Sequence, residues 1–231
     1  MRETIVFVPG FTCTSALWTP QLLHFSTRYD CRVADHTRSD SMKAITQDIL
    51  RDAPEKFILC GLSMGGYLAF EILRQAPQRV TKLALLDTQA TPESEQQKIN
   101  RTERIRMARE QGMDALSDLQ WPNFVHPARY EDEPLRATVR QMARDTGFDV
   151  FMKQAMAIMH RPDSRPDLGR IACPTLVLTG AQDLLTPPDK AREIADGIAG
   201  AKLMMVPDCG HISTLEKPQT VNAALAEFFA A

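Results

Sequence analysis

The sequence has no apolar run close to the ~20 residues that a membrane-spanning helix needs. Its first residues, MRETIVFVPGF, lack the apolar core and cleavage site of a signal peptide and instead predict a strand. The five cysteines are widely spaced, and no two of them form a Cys-x-x-Cys pair. An odd number at such spacings argues against a disulfide framework. These absences predict a soluble, cytoplasmic protein with reduced thiols.

A strong excess of charge of one sign is also missing. The formal net charge is -2, which argues against a broad nucleic-acid surface. No His-x-x-x-His or paired-cysteine spacing suggests a metal site. No glycine-rich loop carries the Lys-Ser/Thr that a phosphate-binding loop requires. We therefore expect no metal, no cofactor, no nucleic-acid partner and no membrane partner.

What is present is an ordinary globular composition, with 231 residues, 44% hydrophobic residues and 24% charged residues. A chain of this length buries roughly 70–75% of its unfolded surface and can form one domain without disulfides or metals.

Short apolar runs alternate with helical patterns along most of the chain. The predicted strands are residues 4–8, 31–34, 56–60, 80–86, 174–179 and 202–206. The predicted helices of this part are residues 17–27, 41–51, 64–75, 188–196 and 214–229. Continuous apolar strands between helices predict an α/β fold, with a mostly parallel sheet of about six strands covered on both faces.

The alternation breaks between residues 91 and 170. Helical patterns near 93–111, 133–145 and 148–160 follow one another there without a convincing strand. We expect these residues to form a helical lid inserted in a core made of residues 1–90 and 171–231.

One pentapeptide, Gly61-Leu62-Ser63-Met64-Gly65, lies where a strand should pass directly into a helix. The pattern G-x-S-x-G in that context is typical of a nucleophile elbow. The tight turn holds the serine in a strained conformation, and the residues two before and two after it must be small. The new helix also points its positive end at the hydroxyl. We predict that Ser63 is a nucleophile.

A nucleophilic serine needs a base, and the base needs an acid that orients it. Among five histidines, His211 follows the last predicted strand and so lies at the same sheet edge as Ser63. Asp183 follows the preceding strand and is the preferred acid. Asp87, at the end of strand 80–86, is the alternative. The chain order Ser63, Asp183, His211 is the one used by this kind of elbow.

Four segments together resemble the α/β-hydrolase superfamily, and small bacterial serine esterases in particular. They are VPGF, GLSMGG, TGAQDLLTP and PDCGHIS. The resemblance covers essentially the whole chain. It implies a Ser-His-Asp triad and an oxyanion hole formed by the backbone N–H groups of Phe11 and Met64. Two departures are Pro9-Gly10, where many relatives have His-Gly, and the charged loop 35–39, where many have a glycine-rich loop.

Several side chains are candidates for substrate contact beneath the lid. They are His36, Trp121, Phe124, Phe151, Met152 and Met156. For the aromatic and methionine side chains the alternative is core packing of the lid, and for His36 it is a structural role. Five lid arginines, Arg101, Arg104, Arg136, Arg140 and Arg144, have acidic residues nearby, so a solvated face is expected. An acidic carrier protein docking there is the alternative.

The expected activity is hydrolysis of a carboxylic ester with a small to medium acyl group. Nothing in the sequence determines the oligomeric state. Two alternative functions remain open. One is lactone or C–C bond hydrolysis by the same groups. The other is a ligand-binding or sensor protein on a hydrolase scaffold, against which the complete triad argues.

Overall fold

The computed structural model describes residues 2–230 and contains one six-stranded sheet. Its strands are β1 (Thr4–Val8), β2 (Asp30–Val33), β3 (Phe57–Leu62), β4 (Val80–Leu86), β5 (Thr175–Gly180) and β6 (Lys202–Val206). They are ordered β2-β1-β3-β4-β5-β6, and every neighbouring pair is parallel. The predicted α/β fold class is confirmed.

Within residues 2–230, eight helices accompany the strands. They are α1 (Thr19–Phe25), α2 (Met42–Asp52), α3 (Met64–Gln75), α4 (Glu95–Phe124), α5 (Glu133–Met159), α6 (Pro188–Gly197), α7 (Ser213–Glu216) and α8 (Pro218–Ala230). Short 3-10 turns lie at Ser15–Trp18, Pro77–Arg79, Pro127–Arg129 and Arg165–Arg170. The helix predicted over 17–27 is thus a 3-10 turn followed by α1, and the last predicted helix is divided before Pro218.

The helical segment between β4 and β5 (residues 91–170) consists mainly of α4 and α5. Each helix bends at a glycine with positive φ, Gly112 at +86° and Gly147 at +68°. We expected no helix between 112 and 124, but α4 continues to Phe124. Burial of Leu116, Trp121 and Phe124 on this second half explains the difference, because packing outweighs the local preference of Gly112 to end a helix.

The core lies on both faces of the sheet, as continuous apolar strands require. All five residues of β1 are buried. Ile5 and Phe7 pack in a cluster with Trp18 and Phe229, whereas Val6 and Val8 pack in a second cluster with α2 and α3. Two-sided burial fixes the register of β1 and so fixes where its carboxyl end points.

Because all six strands are parallel, their carboxyl ends meet at one edge of the sheet. The loops after β1, β3, β4, β5 and β6 emerge side by side there. No helix within residues 2–230 combines the length and the apolar character needed to cross a membrane.

Candidate active site

Ser63 lies on a very tight turn between β3 and α3, with φ +55°. A Cβ on Gly61 would overlap the backbone of Gly65, and one on Gly65 would overlap the carbonyl of Val8. The backbone therefore passes so closely through this turn that only glycine fits at both positions. The strained conformation directs the Ser63 side chain away from the sheet and toward the loop after β6.

His211 lies in the loop between β6 and α7, with Nε2 2.9 Å from Oγ of Ser63. The backbone N–H of His211 donates to the carbonyl of Phe124, at the end of α4, over 2.8 Å. The Phe124 ring also stacks on the imidazole, with centroids 6.2 Å apart. The end of α4 thus positions the histidine from two directions.

Asp183 follows β5, and its Oδ2 lies 2.8 Å from Nδ1 of His211. Its other oxygen accepts the backbone N–H groups of Leu185 and Thr186, and the Thr186 hydroxyl donates to Oδ2 over 2.7 Å. These donors hold the carboxylate in one orientation. Burial raises the pKa of Asp183, but the charge and hydrogen bond of His211 and the bonds from Thr186 outweigh it. The pKa is therefore held below its ordinary value.

Asp87, the alternative acid, is fully buried at the end of β4. Its Oδ1 accepts the N–H of Gly180, and its Oδ2 accepts the hydroxyl and the N–H of Ser213. Burial lowers the pKa of His211, but the nearby carboxylates of Asp183 and Asp87 raise it above its ordinary value. Asp87 therefore acts on His211 through charge, whereas Asp183 contacts it.

The two backbone N–H groups expected to form an oxyanion hole belong to Phe11, in the loop after β1, and to Met64, the first residue of α3. Within residues 2–230, neither of the two donates to a backbone or side-chain acceptor of the protein. His36 lies behind this loop and contacts the carbonyl of Gly10 over 3.1 Å. A carbonyl only accepts, so Nε2 of His36 carries the hydrogen. Burial lowers the pKa of His36, which favours this neutral form.

A cavity of about 220 Å³ opens at Ser63 and His211. Its apolar lining residues include Leu62, Phe124, Ile158, Leu184, Leu185 and Ile212. Besides Ser63 and His211, its polar lining residues include Gln89, Glu93, Gln97, Asn100, Arg101, Arg104 and Gln120. The volume is below the ~300–1,000 Å³ typical of pockets for drug-sized ligands, so the site suits a small molecule.

Of the six side chains expected to contact substrate, only Phe124 lines this cavity. His36 lies behind Gly10, and the indole N–H of Trp121 donates to the Tyr130 carbonyl within the core. Phe151 is buried behind Phe11, with ring centroids 5.2 Å apart. Met152 packs at the edge of the same apolar cluster, and Met156 is 37% exposed.

The polar lining residues were missed because they carry no catalytic motif. One signal was available: residues 97, 100, 101 and 104 are spaced i, i+3, i+4 and i+7, which places four polar side chains on one face of a helix. From the sequence alone, Arg101 and Arg104 are expected on a solvated face, because acidic residues occur nearby.

The cysteines are all free. Cys13 lines the cavity, but burial raises the pKa of its thiol to about 12. Burial also raises the pKa of Cys209, near His211 in the chain. Both thiols therefore stay protonated and are poor nucleophiles at neutral pH. Within residues 2–230, no three His, Cys, Asp or Glu side chains are grouped closely enough to hold a metal ion.

Comparison with known proteins finds similar enzymes that match along most of the chain. The chain is 27% identical to a thermophilic esterase from Thermogutta terrifontis, solved with malate bound, with a TM-score of 0.90 over 99% of this chain and 89% of the other. It is 26% identical to an enol-lactonase from Burkholderia xenovorans, with a TM-score of 0.88 over 100% and 92%. It is 31% identical over 215 residues to a 2-hydroxy-6-oxononadienedioate/2-hydroxy-6-oxononatrienedioate hydrolase from Klebsiella pneumoniae, covering 87% of this chain and 72% of that protein.

A family model matches residues 5–224, nearly the whole chain. The protein is a member of the alpha/beta hydrolase family.

Proposed function

We propose that this protein is a serine hydrolase that cleaves a carboxylic ester with a small to medium acyl group. The observation that carries the proposal is the continuous chain of contacts from Ser63 Oγ to His211 Nε2, at 2.9 Å, and from His211 Nδ1 to Asp183 Oδ2, at 2.8 Å. Both distances are within hydrogen-bond range, as a nucleophile, its base and an orienting acid require.

In the acylation step, Ser63 Oγ forms a bond to the ester carbonyl carbon while its proton passes to His211 Nε2. The carbonyl oxygen becomes an oxyanion, which accepts hydrogen bonds from the N–H groups of Phe11 and Met64. The carbon–oxygen bond to the alcohol then breaks, and the alcohol leaves with the proton from His211. Asp183 holds the imidazole in the correct tautomer and stabilises its charged form.

Water completes the cycle. His211 removes a proton from the water, whose oxygen attacks the acyl carbon, and the Ser63 oxygen leaves and regains the proton. The products are the free acid and the regenerated enzyme. In this scheme the helical segment serves as a lid, since α4 supplies most of the polar wall of the cavity.

A second candidate reaction is lactone or C–C bond hydrolysis by the same three groups. Two observations support it: the relatives described above include an enol-lactonase and a hydrolase named for an oxo-dienedioate, and half of the cavity wall is polar. Polar groups would be needed to orient a multiply oxygenated substrate, whereas a plain acyl chain needs only apolar contact.

The test is hydrolysis of p-nitrophenyl esters from acetate to octanoate. We expect activity that disappears in Ser63→Ala and persists in Ser15→Ala, where Ser15 is an exposed serine. The small cavity predicts an optimum at the short end of the series. If wild type and Ser63→Ala are equally inert, ester hydrolysis is rejected and a panel of lactones and diketones follows. Stoichiometric acylation without turnover would instead indicate a binding protein.

A further inference from the structure

Two cationic side chains that the proposed triad does not use, Arg101 and Arg104, line the cavity. Gln97, Asn100, Arg101 and Arg104 lie on one face of α4, and all four line the cavity together with Ser63. Arg101 stacks on the Phe11 ring at 5.1 Å, so this face lies beside the residue whose N–H is proposed for the oxyanion hole.

Four of the five arginines singled out in the sequence have acidic partners. Arg101 binds Glu93 through two nitrogens, Arg136 and Arg140 bind Asp118, and Arg144 binds Asp114. Arg104 differs from them. Within residues 2–230, its guanidinium has no acidic partner and no hydrogen bond to a protein acceptor, although it is half-buried in the cavity wall.

The acid that lines the cavity next to Arg104 does not neutralise it. Glu93 is already bound by Arg101 and by Arg161, at 2.6 and 3.1 Å. This group of three arginines and one glutamate therefore keeps an excess of positive charge at the cavity. Burial and the charge of Arg101 lower the pKa of Arg104, so its charge is held there at a cost in free energy.

We propose that Arg104 binds a carboxylate of the substrate, so that the molecule cleaved at Ser63 carries an acid group besides its scissile bond. The inference rests on the proposed function and narrows its substrate class. A planar guanidinium with five donors matches a carboxylate through two parallel hydrogen bonds. Ser63 and Arg104 both line the cavity of about 220 Å³, so one small molecule that fills it can contact both.

The experiment compares esters that differ only by a methyl or a carboxylate group. On the acyl side the pair is p-nitrophenyl hexanoate and mono-p-nitrophenyl adipate. On the alcohol side the pair is p-tolyl acetate and 4-acetoxybenzoate. For each pair the measured quantity is the ratio of kcat/KM values, anionic over neutral, in wild type and in Arg104→Met. Comparing the enzymes cancels the different intrinsic reactivity of the two esters.

We expect the ratio to fall about 10- to 100-fold in Arg104→Met for one of the two pairs, the range for a hydrogen bond between charged groups. The pair that responds identifies the side of the ester that carries the acid. The loss should fall mainly on KM, and Arg104→Lys should restore part of it. The matched control is Arg106→Met, which removes an exposed arginine of the same helix that pairs with Glu110.

Ratios that stay within twofold for both pairs, while hydrolysis still depends on Ser63, would overturn the role of Arg104 and leave the hydrolase proposal standing. Binding of adipate and of 4-hydroxybenzoate, the acid products of the two anionic esters, is measured by calorimetry and gives a readout without turnover. Binding of either acid that weakens at least tenfold in Arg104→Met and is unchanged in Arg106→Met supports the carboxylate site. If neither acid binds, or if all three proteins bind them equally, the carboxylate site is refuted even if the enzyme proves inactive on every ester.

Discussion

Ser213, two residues beyond His211 in the chain, donates a 2.5 Å hydrogen bond from its hydroxyl to Asp87. The other Asp87 oxygen accepts the N–H of Gly180, at the end of the strand that leads to Asp183. Asp87 therefore joins the two loops that carry the proposed base and acid. Burial and the charge of Asp183 raise the pKa of Asp87 to about 7, so near neutral pH its charge depends on pH.

The roles of the two aspartates predict unequal effects on catalysis. Asp183→Asn should lower kcat by about 10⁴, because His211 loses the group that fixes its tautomer. Asp87→Asn should retain most of kcat, but it removes a negative charge near His211, so the pKa of His211 falls. The acid limb of the kcat/KM profile should then shift to lower pH. Measuring kcat and kcat/KM from pH 4.5 to 9 for both variants checks this. If kcat falls more in Asp87→Asn than in Asp183→Asn, Asp87 is the orienting acid.

Asp87 should also make stability depend on pH. Its pKa is higher in the folded protein, about 7, than the ordinary 3.8, so between these values the folded state binds more protons. The free energy of unfolding should therefore decrease as pH rises from about 4 to 7, by on the order of a few kcal/mol. Asp183, with a lowered pKa, acts in the opposite direction but only below about pH 4.

Urea unfolding at several pH values measures this dependence. Other groups also titrate between pH 4 and 7. The relevant quantity is therefore the change in the free energy of unfolding per pH unit in wild type, minus the same change in Asp87→Asn. A difference of zero would mean that Asp87 titrates normally in the folded protein.

The tight turn around Ser63 predicts a steric effect at Gly65. Gly65→Ala should destabilise the protein by several kcal/mol, because the new methyl group would overlap the Val8 carbonyl and β1 cannot move without breaking its pairing. Gly169→Ala is the matched control, since a Cβ there meets no atom within 4 Å. It should change stability by less than about 1 kcal/mol. Equal urea midpoints for the two variants would contradict the close approach.

Removing the charge of Glu93 should strongly destabilise the folded protein. Its carboxylate is buried and binds both Arg101 and Arg161, so Glu93→Gln leaves two cations without an acidic partner. We expect a loss of about 3–5 kcal/mol in the free energy of unfolding. Glu95→Gln, which removes an exposed partner of Lys98, should cost less than about 1 kcal/mol. Denaturant titration of both variants tests this, and similar losses would show that the Glu93 cluster is well solvated.

The strands and the motif residues could be predicted because local patterns determine them. Strand 80–86 agrees in full with β4, and strand 202–206 agrees with β6, since each apolar run is bounded by turn residues. The elbow motif predicts Ser63, and His211 and Asp183 are predicted because parallel strands place their following loops at one edge. The placement of Asp87 beside Ser213 could not be predicted from the sequence, because it depends on contacts between loops that are distant in the chain.

The helical segment was less predictable, because long-range packing decides its form. No local signal distinguishes a helix that ends at Gly112 from one that bends there and continues. The same limit applies to the cavity wall. Arg101 and Arg104 look alike in the sequence, but only the fold brings Glu93 to Arg101 and leaves Arg104 facing the cavity.

The contact between α4 and the histidine loop has a consequence for protein engineering. The carbonyl of Phe124 accepts the N–H groups of both His211 and Ile212, and the carboxylate of Glu216 binds the N–H groups of Gly210 and His126. The end of α4 and the turn after it therefore help to hold His211, the proposed base, in place. The helical segment therefore cannot be exchanged as a whole without affecting His211. When this segment is exchanged between homologous enzymes, residues 121–127 should stay with the core of the recipient enzyme, and only the residues before them should be replaced.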